Sequence, residues 1–295
     1  MNQPIQEIIT QRFSCRSYMD EPIQKTHQEA LKDFLKTQQI GPLGTHARFE
    51  LVAATQEDRQ SLKGLGTYGF IKDAAGFIVG AIEQGHKNLE DYGYLLERAV
   101  LFATEIGLGT CWLGGSFSKS GFAKKIALRN QEILPAVIAT GYNAKNNGSR
   151  ELIRRQMNLH RRLPMDKLFF SETLNCSITP ESAGAYLLPL EMVRLAPSAS
   201  NKQPWRIVRV GDIWHFFLQR TKGYGKGTLV FNILRLADLQ RVDMGIAMCH
   251  FELAARELDL QGSWVIDEPQ LAMPEGTEYT VSWIATSNQQ LKKKS

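Results

Sequence analysis

Two stretches of this chain, 152 residues apart, carry the same pattern without a gap. Residues 103–112 (ATEIGLGTCW) align with residues 255–264 (ARELDLQGSW), so that Trp112 corresponds to Trp264. Residues 49–52 (FELV) parallel residues 205–208 (WRIV) at an offset of 156, and residues 136–140 (AVIAT) parallel residues 280–286 (TVSWIAT). Self-similarity at a fixed offset indicates duplicated structural units. Unless this similarity arises by chance, the chain contains two copies of one unit, predicted over residues 1–172 and 173–295.

Helical and strand patterns alternate along both units. Apolar residues recur at helical spacing over residues 4–10, from after Ile23 to about Thr37, and over 89–106 and 187–195. Short apolar runs bounded by Gly, Pro or polar residues predict strands over residues 48–54, 75–82, 110–113, 134–141, 205–210 and 280–286. This order predicts an α+β fold built from two tandem α/β/α repeats.

The segment between the helix that ends near Leu195 and the strand that begins at Trp205 is rich in small polar residues. Pro197 stops the helix, because proline disfavours the α conformation of the residue before it. Ser198, Ser200 and Asn201 then offer two hydroxyls and an amide, which both donate and accept hydrogen bonds. The segment is either a ligand-binding loop or a polar turn, since Ser and Asn are common in turns.

Near the N-terminus, Arg12, Ser14 and Arg16 occupy alternate positions. In an extended segment, alternate side chains project to one side. Two guanidinium groups and a hydroxyl on one side suit a phosphate or a carboxylate, because arginine binds such anions through two parallel hydrogen bonds. The alternative is a solvated surface segment.

Two further segments carry candidate ligand contacts. Gly114 and Gly115 follow a predicted strand, and adjacent glycines let a backbone lie against a planar ring because no Cβ stands in the way. The same pair also suits a plain loop. Arg161 and Arg162 form a basic pair just before Pro164, whereas the other arginines of residues 150–160 suit a solvated helix face.

Taken together, these segments resemble the FMN-dependent nitroreductases. Residues 197–205 (PSASNKQPW) are similar to the Pro-Ser-Ser/Ala-x-Asn-x-Gln-Pro-Trp motif of that family, and residues 12–18 (RFSCRSY) to its N-terminal Arg-x-Ser-x-Arg-x-Tyr. Residues 108–115 (LGTCWLGG) resemble the family segment whose backbone approaches the flavin N5/O4 edge. The resemblance covers nearly the whole chain, and it implies a nitroreductase-like fold that binds FMN.

The resemblance also implies cofactor contacts for named residues. It places Arg16 near the N1/C2=O edge of the flavin, where a cation stabilises the anionic reduced ring. The other residues implied from the first unit's phosphate and ribityl side are Arg12, Phe13, Ser14, Arg161 and Arg162. The residues implied around the ring are Leu113, Gly114 and Gly115 from the first unit and Pro197, Ser198, Ala199, Ser200 and Asn201 from the second.

In that family the two parts of each flavin site come from two subunits of a dimer. The first unit of this chain has the Arg/Ser motif, but residues 41–47 (GPLGTHA) stand where the Ser/Asn loop would be. The second unit has that loop, but it begins at residues 177–181 (SITPE) without the Arg/Ser motif and has Ile266–Asp267 in place of the glycine pair. Each unit supplies what the other lacks. We therefore expect a monomer that acts as an internal pseudo-dimer with one FMN.

Composition narrows the classes of protein to which this chain can belong. The apolar fraction of 43% and charged fraction of 22% are typical of a globular protein, and no apolar run reaches the roughly 18 residues of a membrane span. The N-terminal residues do not form a signal peptide, so a cytoplasmic protein is expected. Four scattered cysteines argue against a metal site or a disulfide scaffold. The net charge of +5 leaves nucleic-acid binding open, although a basic site for one anionic ligand explains it as well.

The function implied by the resemblance is an FMN-dependent NAD(P)H oxidoreductase. Hydride from NADH or NADPH would pass to flavin N5 and then to a nitroaromatic, quinone or similar small-molecule acceptor, in a ping-pong sequence. No cysteine, histidine or acid is expected to act as a catalytic base, and His250 is expected on a helix that packs in the protein core. The alternatives are a non-catalytic flavin-binding or flavin-sensing protein and a specialised flavin dehydrogenase or oxidase on the same fold.

Overall fold

The structure, a computed structural model, describes residues 1–53, 71–115, 117–144, 161–224 and 237–286. The first part of the chain forms α1 (Ile5–Gln11), α2 (Lys25–Lys36), β1 (Ala47–Ala53), β2 (Gly76–Glu83), α3 (Asn88–Glu105), β3 (Gly109–Leu113), α4 (Lys119–Lys125), β4 (Glu132–Ile133) and β5 (Val137–Gly141). The later part forms β6 (Phe169–Ser171), β7 (Thr173–Ser177), α5 (Pro180–Ala183), α6 (Leu187–Leu195), β8 (Trp205–Val210), β9 (Ile213–Gln219), α7 (Leu239–Glu257), β10 (Gly262–Val265) and β11 (Thr277–Ala285). The predicted basic helix face at residues 150–160 lies outside the described residues.

Two sheets repeat one topology. The first contains the order β1-β2-β5-β3, and the second contains β8-β9-β11-β10, with every neighbouring pair antiparallel. β4 adds to β2 of the first sheet, whereas β6 and β7 extend the second sheet beyond β8. The predicted fold class, two tandem α+β repeats of the nitroreductase type, is confirmed. The division at residue 172 stays a prediction, and β6, which precedes it, already pairs with the second sheet.

The two repeats meet where the long helices α3 and α7 cross. A Cβ atom built on Gly93 would overlap the Val242 carbonyl oxygen, and a Cβ atom built on Gly245 would overlap the Glu90 carbonyl oxygen. Only glycine permits so close an approach of two backbones. Gly93 and Gly245 are 152 residues apart, the offset of the sequence repeat. The helix crossing therefore lies at the centre of the internal pseudo-symmetry.

A polar cluster is buried next to this crossing. Glu97 and His250 are both fully buried, with 2.9 Å between Glu97 Oε1 and His250 Nε2. His250 Nδ1 lies 2.9 Å from the Met192 carbonyl oxygen, and Trp112 Nε1 donates to Glu97 Oε2 at 2.7 Å. Both ring nitrogens of His250 are thus occupied within the core, which confirms its predicted place in a buried helix.

One predicted strand is wrong in its extent. Residues 134–141 were predicted as a single strand, but β4 ends at Ile133 and β5 begins at Val137. Pro135 lies in the gap, and proline has no N–H to donate to a sheet. In the described ranges, each helix is too short or too polar to cross a bilayer.

Candidate functional site

A cavity of about 400 Å³ opens on the seam between the two repeats. Its volume falls within the roughly 300–1,000 Å³ typical of small-molecule sites. The first repeat contributes Ser14, Arg16, Cys111, Trp112, Gly114, Gly115 and Ala136 to its wall. The second contributes Pro197, Ser198, Ala199, Ser200, Tyr224, Leu239, Val242, Asp243 and Ile246. The N-terminal Arg/Ser motif and the Ser/Asn loop, far apart in sequence, therefore share one cavity.

The Arg/Ser motif is held in an extended conformation beside β3. Ser14 forms a parallel bridge with Thr110, and the backbone N–H of Cys15 donates to the Thr110 carbonyl at 2.8 Å. Alternate residues then face opposite ways, so that Ser14 and Arg16 line the cavity while Cys15 is buried in the core. The predicted alternation holds for these two residues.

Arg12 is placed differently from the other two members of the motif. Its side chain is 9% exposed, and its Nε has no hydrogen-bond partner in the described part of the chain. Burial lowers the pKa of this guanidinium, although the carboxylate of Glu97 opposes the effect. A buried N–H donor without a partner is unfavourable until an acceptor joins it.

Arg162, from the predicted basic pair, lies close enough to Arg12 for the two charges to repel. Burial lowers the pKa of Arg162 to about 10, with the charges of Arg12 and Arg194 adding to the effect. Arg162 Nη1 donates to Asn201 Oδ1 at 2.6 Å, and Nη2 donates to the Leu195 carbonyl at 3.0 Å. Two desolvated guanidinium groups fit a doubly charged anion such as a phosphate.

The Ser/Asn loop is a short turn with an unusual backbone. Ser200, Asn201 and Gln203 have φ values of 50°, 54° and 49°, in the left-handed region that non-glycine residues seldom adopt. Side chains hold the turn: Gln203 N–H donates to Ser198 Oγ at 2.9 Å, and Gln203 Oε1 accepts from the Leu163 N–H at 2.8 Å. Strained backbone of this kind concentrates at ligand sites.

The glycine pair forms another part of the wall. Gly114 packs against the side chain of Leu239, which a Cβ would overlap, and both residues line the cavity. The backbone at Gly114 and Gly115 can therefore approach a flat ligand directly.

The fourteen residues predicted to bind the cofactor divide into two groups. Eight line the cavity, namely Ser14, Arg16, Gly114, Gly115, Pro197, Ser198, Ala199 and Ser200. The other six lie outside its lining, namely Arg12, Phe13, Leu113, Arg161, Arg162 and Asn201. Of these, Phe13 is exposed, Leu113 belongs to the core, and the Asn201 amide donates to the Arg161 carbonyl at 2.9 Å. Cofactor contact remains a prediction for all fourteen.

The structure adds wall residues that the sequence did not identify. Leu239, Val242, Asp243 and Ile246 follow one face of α7 at the spacing i, i+3, i+4, i+7. That spacing is visible in the sequence, but it is equally typical of a core-facing helix. Tyr224 also lines the cavity, and its hydroxyl lies 3.2 Å from Ser200 Oγ. Among the described residues, no group of three or more His, Cys, Asp or Glu side chains is placed to hold a metal ion.

The chain is similar in sequence and in fold to proteins described as nitroreductases. A family model described as "Putative TM nitroreductase" matches residues 4–255. A structure from Thermotoga maritima MSB8, described as a "putative nitroreductase", is 22% identical, with 96% of this chain and 94% of that chain covered at a TM-score of 0.58.

Two further solved structures match about half of the chain. A nitroreductase family protein from Clostridium difficile 630 is 19% identical, covering 57% of this chain and 96% of its own at a TM-score of 0.41. A "putative nitroreductase in complex with FMN" from Desulfovibrio desulfuricans is 22% identical, covering 50% and 90% at a TM-score of 0.39. Among curated proteins there was no match.

Proposed function

The chain belongs to the nitroreductase family whose model spans residues 4–255, and on that premise we propose that it is an FMN-dependent NAD(P)H oxidoreductase. The observation that carries the proposal is the shared cavity at the seam. Ser14 and Arg16 from one repeat and the residues of the Ser/Asn loop from the other line the same 400 Å³ space. Neither repeat provides this set of residues alone.

The residues present fit the chemical parts of FMN. Arg12 and Arg162 lie outside the cavity lining, but Arg12 has a buried Nε without a partner and lies near the desolvated Arg162, so this pair would hold the phosphate. Gly114, Gly115, Ser198 and Ser200 border the cavity, and the glycine backbone and the serine hydroxyls would hold the flat ring. When bound, FMN supplies the hydride-accepting chemistry, and the protein supplies position and charge.

Arg16 is the candidate for tuning that chemistry. Arg16 lines the cavity and its side chain is exposed, so the ligand-free protein does not bear the cost of a buried, desolvated guanidinium at this position. A guanidinium beside the N1/C2=O edge would stabilise negative charge on the ring. NADH or NADPH and a nitroaromatic, quinone or similar acceptor would then use one cavity in turn, which gives ping-pong kinetics.

Reconstitution with FMN tests the proposal. We expect the purified full-length chain to bind one FMN per polypeptide and to bleach the flavin absorbance when NADH or NADPH is added without oxygen. Two FMN per chain would contradict the single shared site. Binding without bleaching would favour a flavin-binding or flavin-sensing protein, and a chain that takes up no FMN would refute the assignment.

A further inference from the structure

Each repeat has a buried aspartate at the same place on its long helix. Asp91 on α3 and Asp243 on α7 are 152 residues apart, and their side chains are among the most deeply buried of the charged residues. Each accepts a backbone N–H from the loop that precedes a corresponding strand, β1 for Asp91 and β8 for Asp243. Leu43 N–H donates to Asp91 Oδ1 at 2.8 Å, and Ala199 N–H donates to Asp243 Oδ1 at 2.9 Å.

The second carboxyl oxygen differs between the two repeats. Asp91 Oδ2 accepts the Thr45 N–H at 2.8 Å, so both of its oxygens are used by the loop. The residue that corresponds to Thr45 is Asn201, and its N–H donates instead to the Ser198 carbonyl at 2.9 Å. Asp243 Oδ2 is consequently buried with no hydrogen-bond partner among the described residues.

The two aspartates also differ in their surroundings, since Asp91 is covered by its loop and Asp243 borders the cavity. The first loop is closed over Asp91, because a Cβ at Gly41 would overlap its carboxyl group. Asp243, in contrast, is part of the cavity wall together with Pro197, which occupies the place of Gly41 in the second loop. A buried polar atom without a partner beside a ligand cavity calls for a partner supplied by the ligand.

The charge state of Asp243 follows from its neighbours. Burial raises the pKa of this carboxyl well above its ordinary value, the Ala199 N–H opposes the effect, and the negative charge of Asp238 adds to it. The other titratable groups that line the cavity are Arg16, Cys111 and Tyr224. Because Oδ1 already accepts a hydrogen bond, a proton on this carboxyl resides on Oδ2.

We propose that Asp243 is a binding residue for the flavin ring, and that its protonated Oδ2 donates a hydrogen bond to an oxygen or nitrogen acceptor of that ring. This inference rests on the proposed function. It gives the duplicated aspartates separate roles, because Asp91 holds its loop with both oxygens while Asp243 holds its loop with one and the ligand with the other.

The test compares three variants by FMN affinity. Asp243→Ala removes both hydrogen bonds and is expected to weaken FMN binding about tenfold, the size of one buried hydrogen bond. Asp243→Asn keeps the acceptor for Ala199 N–H and replaces the hydroxyl by an amide donor, so its affinity should stay within about twofold of the original. Asp91→Asn, the matched control in the other repeat, should lower unfolding stability and leave FMN affinity unchanged.

Two measurements separate ligand binding from simple support of the loop. The FMN affinity of the unaltered protein, divided by that of Asp243→Asn at the same pH, should fall as pH rises and the carboxyl ionises, because the FMN phosphate and the arginines titrate alike in both proteins. Infrared difference spectra should show a carboxylic acid band that shifts when FMN binds and that is missing in Asp243→Asn.

The outcomes distinguish this inference from the proposed function. Equal pH profiles for the two proteins, or the lack of an FMN-sensitive carboxylic acid band, would overturn the role of Asp243 while FMN binding stands. A wild-type chain that does not bind FMN would overturn both. The infrared measurement needs only the unaltered protein and Asp243→Asn, so it decides the question even if Asp243→Ala does not fold.

Discussion

Replacing Arg12 by methionine should change stability and cofactor binding in opposite directions. In the protein without ligand, Arg12 is a 9% exposed cation with an unpartnered Nε, and its charge adds to the effects that lower the pKa of Arg162. A buried donor without a partner costs about 1–3 kcal/mol. Methionine fills a similar volume without a charge. We expect Arg12→Met to raise the free energy of unfolding of the ligand-free protein by about 1–2 kcal/mol.

The same substitution removes a charged donor from the expected phosphate site. A hydrogen bond to a charged group contributes about 1.5–3 kcal/mol, so FMN binding should weaken about 10- to 100-fold. Urea unfolding without FMN gives the first quantity, and fluorescence titration with FMN gives the second. The pKa of Arg162 should rise in the variant, because one of the causes that lower it is gone.

Arg16→Met is the control for stability. Arg16 also carries a guanidinium of the N-terminal motif, but its side chain is exposed, so the free energy of unfolding should change by less than about 0.5 kcal/mol. A ligand-free Arg12→Met protein that is less stable than the original and binds FMN equally well would refute the reasoning, because Arg12 would then be a structural cation with partners of its own.

Two further predictions concern the frame of the site. Gly93→Ala should lower the free energy of unfolding by about 1–3 kcal/mol, because its Cβ would overlap the Val242 carbonyl. The control Gly85→Ala, whose Cβ would lie 3.9 Å from the nearest atom, should change the free energy of unfolding little. Equal urea midpoints for the two variants would contradict a tight helix crossing at Gly93. Burial lowers the pKa of His215, with Asp267 opposing, so this histidine binds a proton less tightly in the folded than in the unfolded protein. Stability should therefore decline as pH falls below about 6.5, and His215→Gln should decline less, as followed by urea unfolding at several pH values.

Part of this molecule can be predicted from sequence because the repeat imposes constraints that local patterns lack. The offset that aligns Trp112 with Trp264 also aligns Gly93 with Gly245, so the helix crossing follows from the duplication. The break at Pro135 could have been predicted from the missing N–H of proline. The resemblance to a known family supplied the rest of the site, since Ser and Asn in a turn have no single meaning on their own.

The remaining features depend on three-dimensional packing that sequence patterns do not record. Arg12 and Arg16 alternate in the sequence, yet only Arg16 lines the cavity while Arg12 turns into the interior near Glu97. Asn201 belongs to the most specific motif, but its side chain is bound to Arg162 and to the Arg161 carbonyl. The free oxygen of Asp243 results from the direction of one N–H in that loop, which no residue pattern shows.

The Ser/Asn loop is held in place by the segment that leads into the second sheet. Its left-handed residues are held by hydrogen bonds from the segment that enters the second sheet: Asn201 donates to the Arg161 carbonyl, Arg162 donates to Asn201, and Leu163 donates to Gln203. That segment precedes the predicted boundary at residue 172, but it leads into β6, which pairs with β8 of the second sheet. The corresponding loop of the first repeat, residues 41–45, is closed onto Asp91, whose two carboxyl oxygens accept the N–H groups of Leu43 and Thr45. Within the described residues, the two copies of this loop have therefore diverged, because one is closed onto its aspartate and the other borders the cavity at the seam.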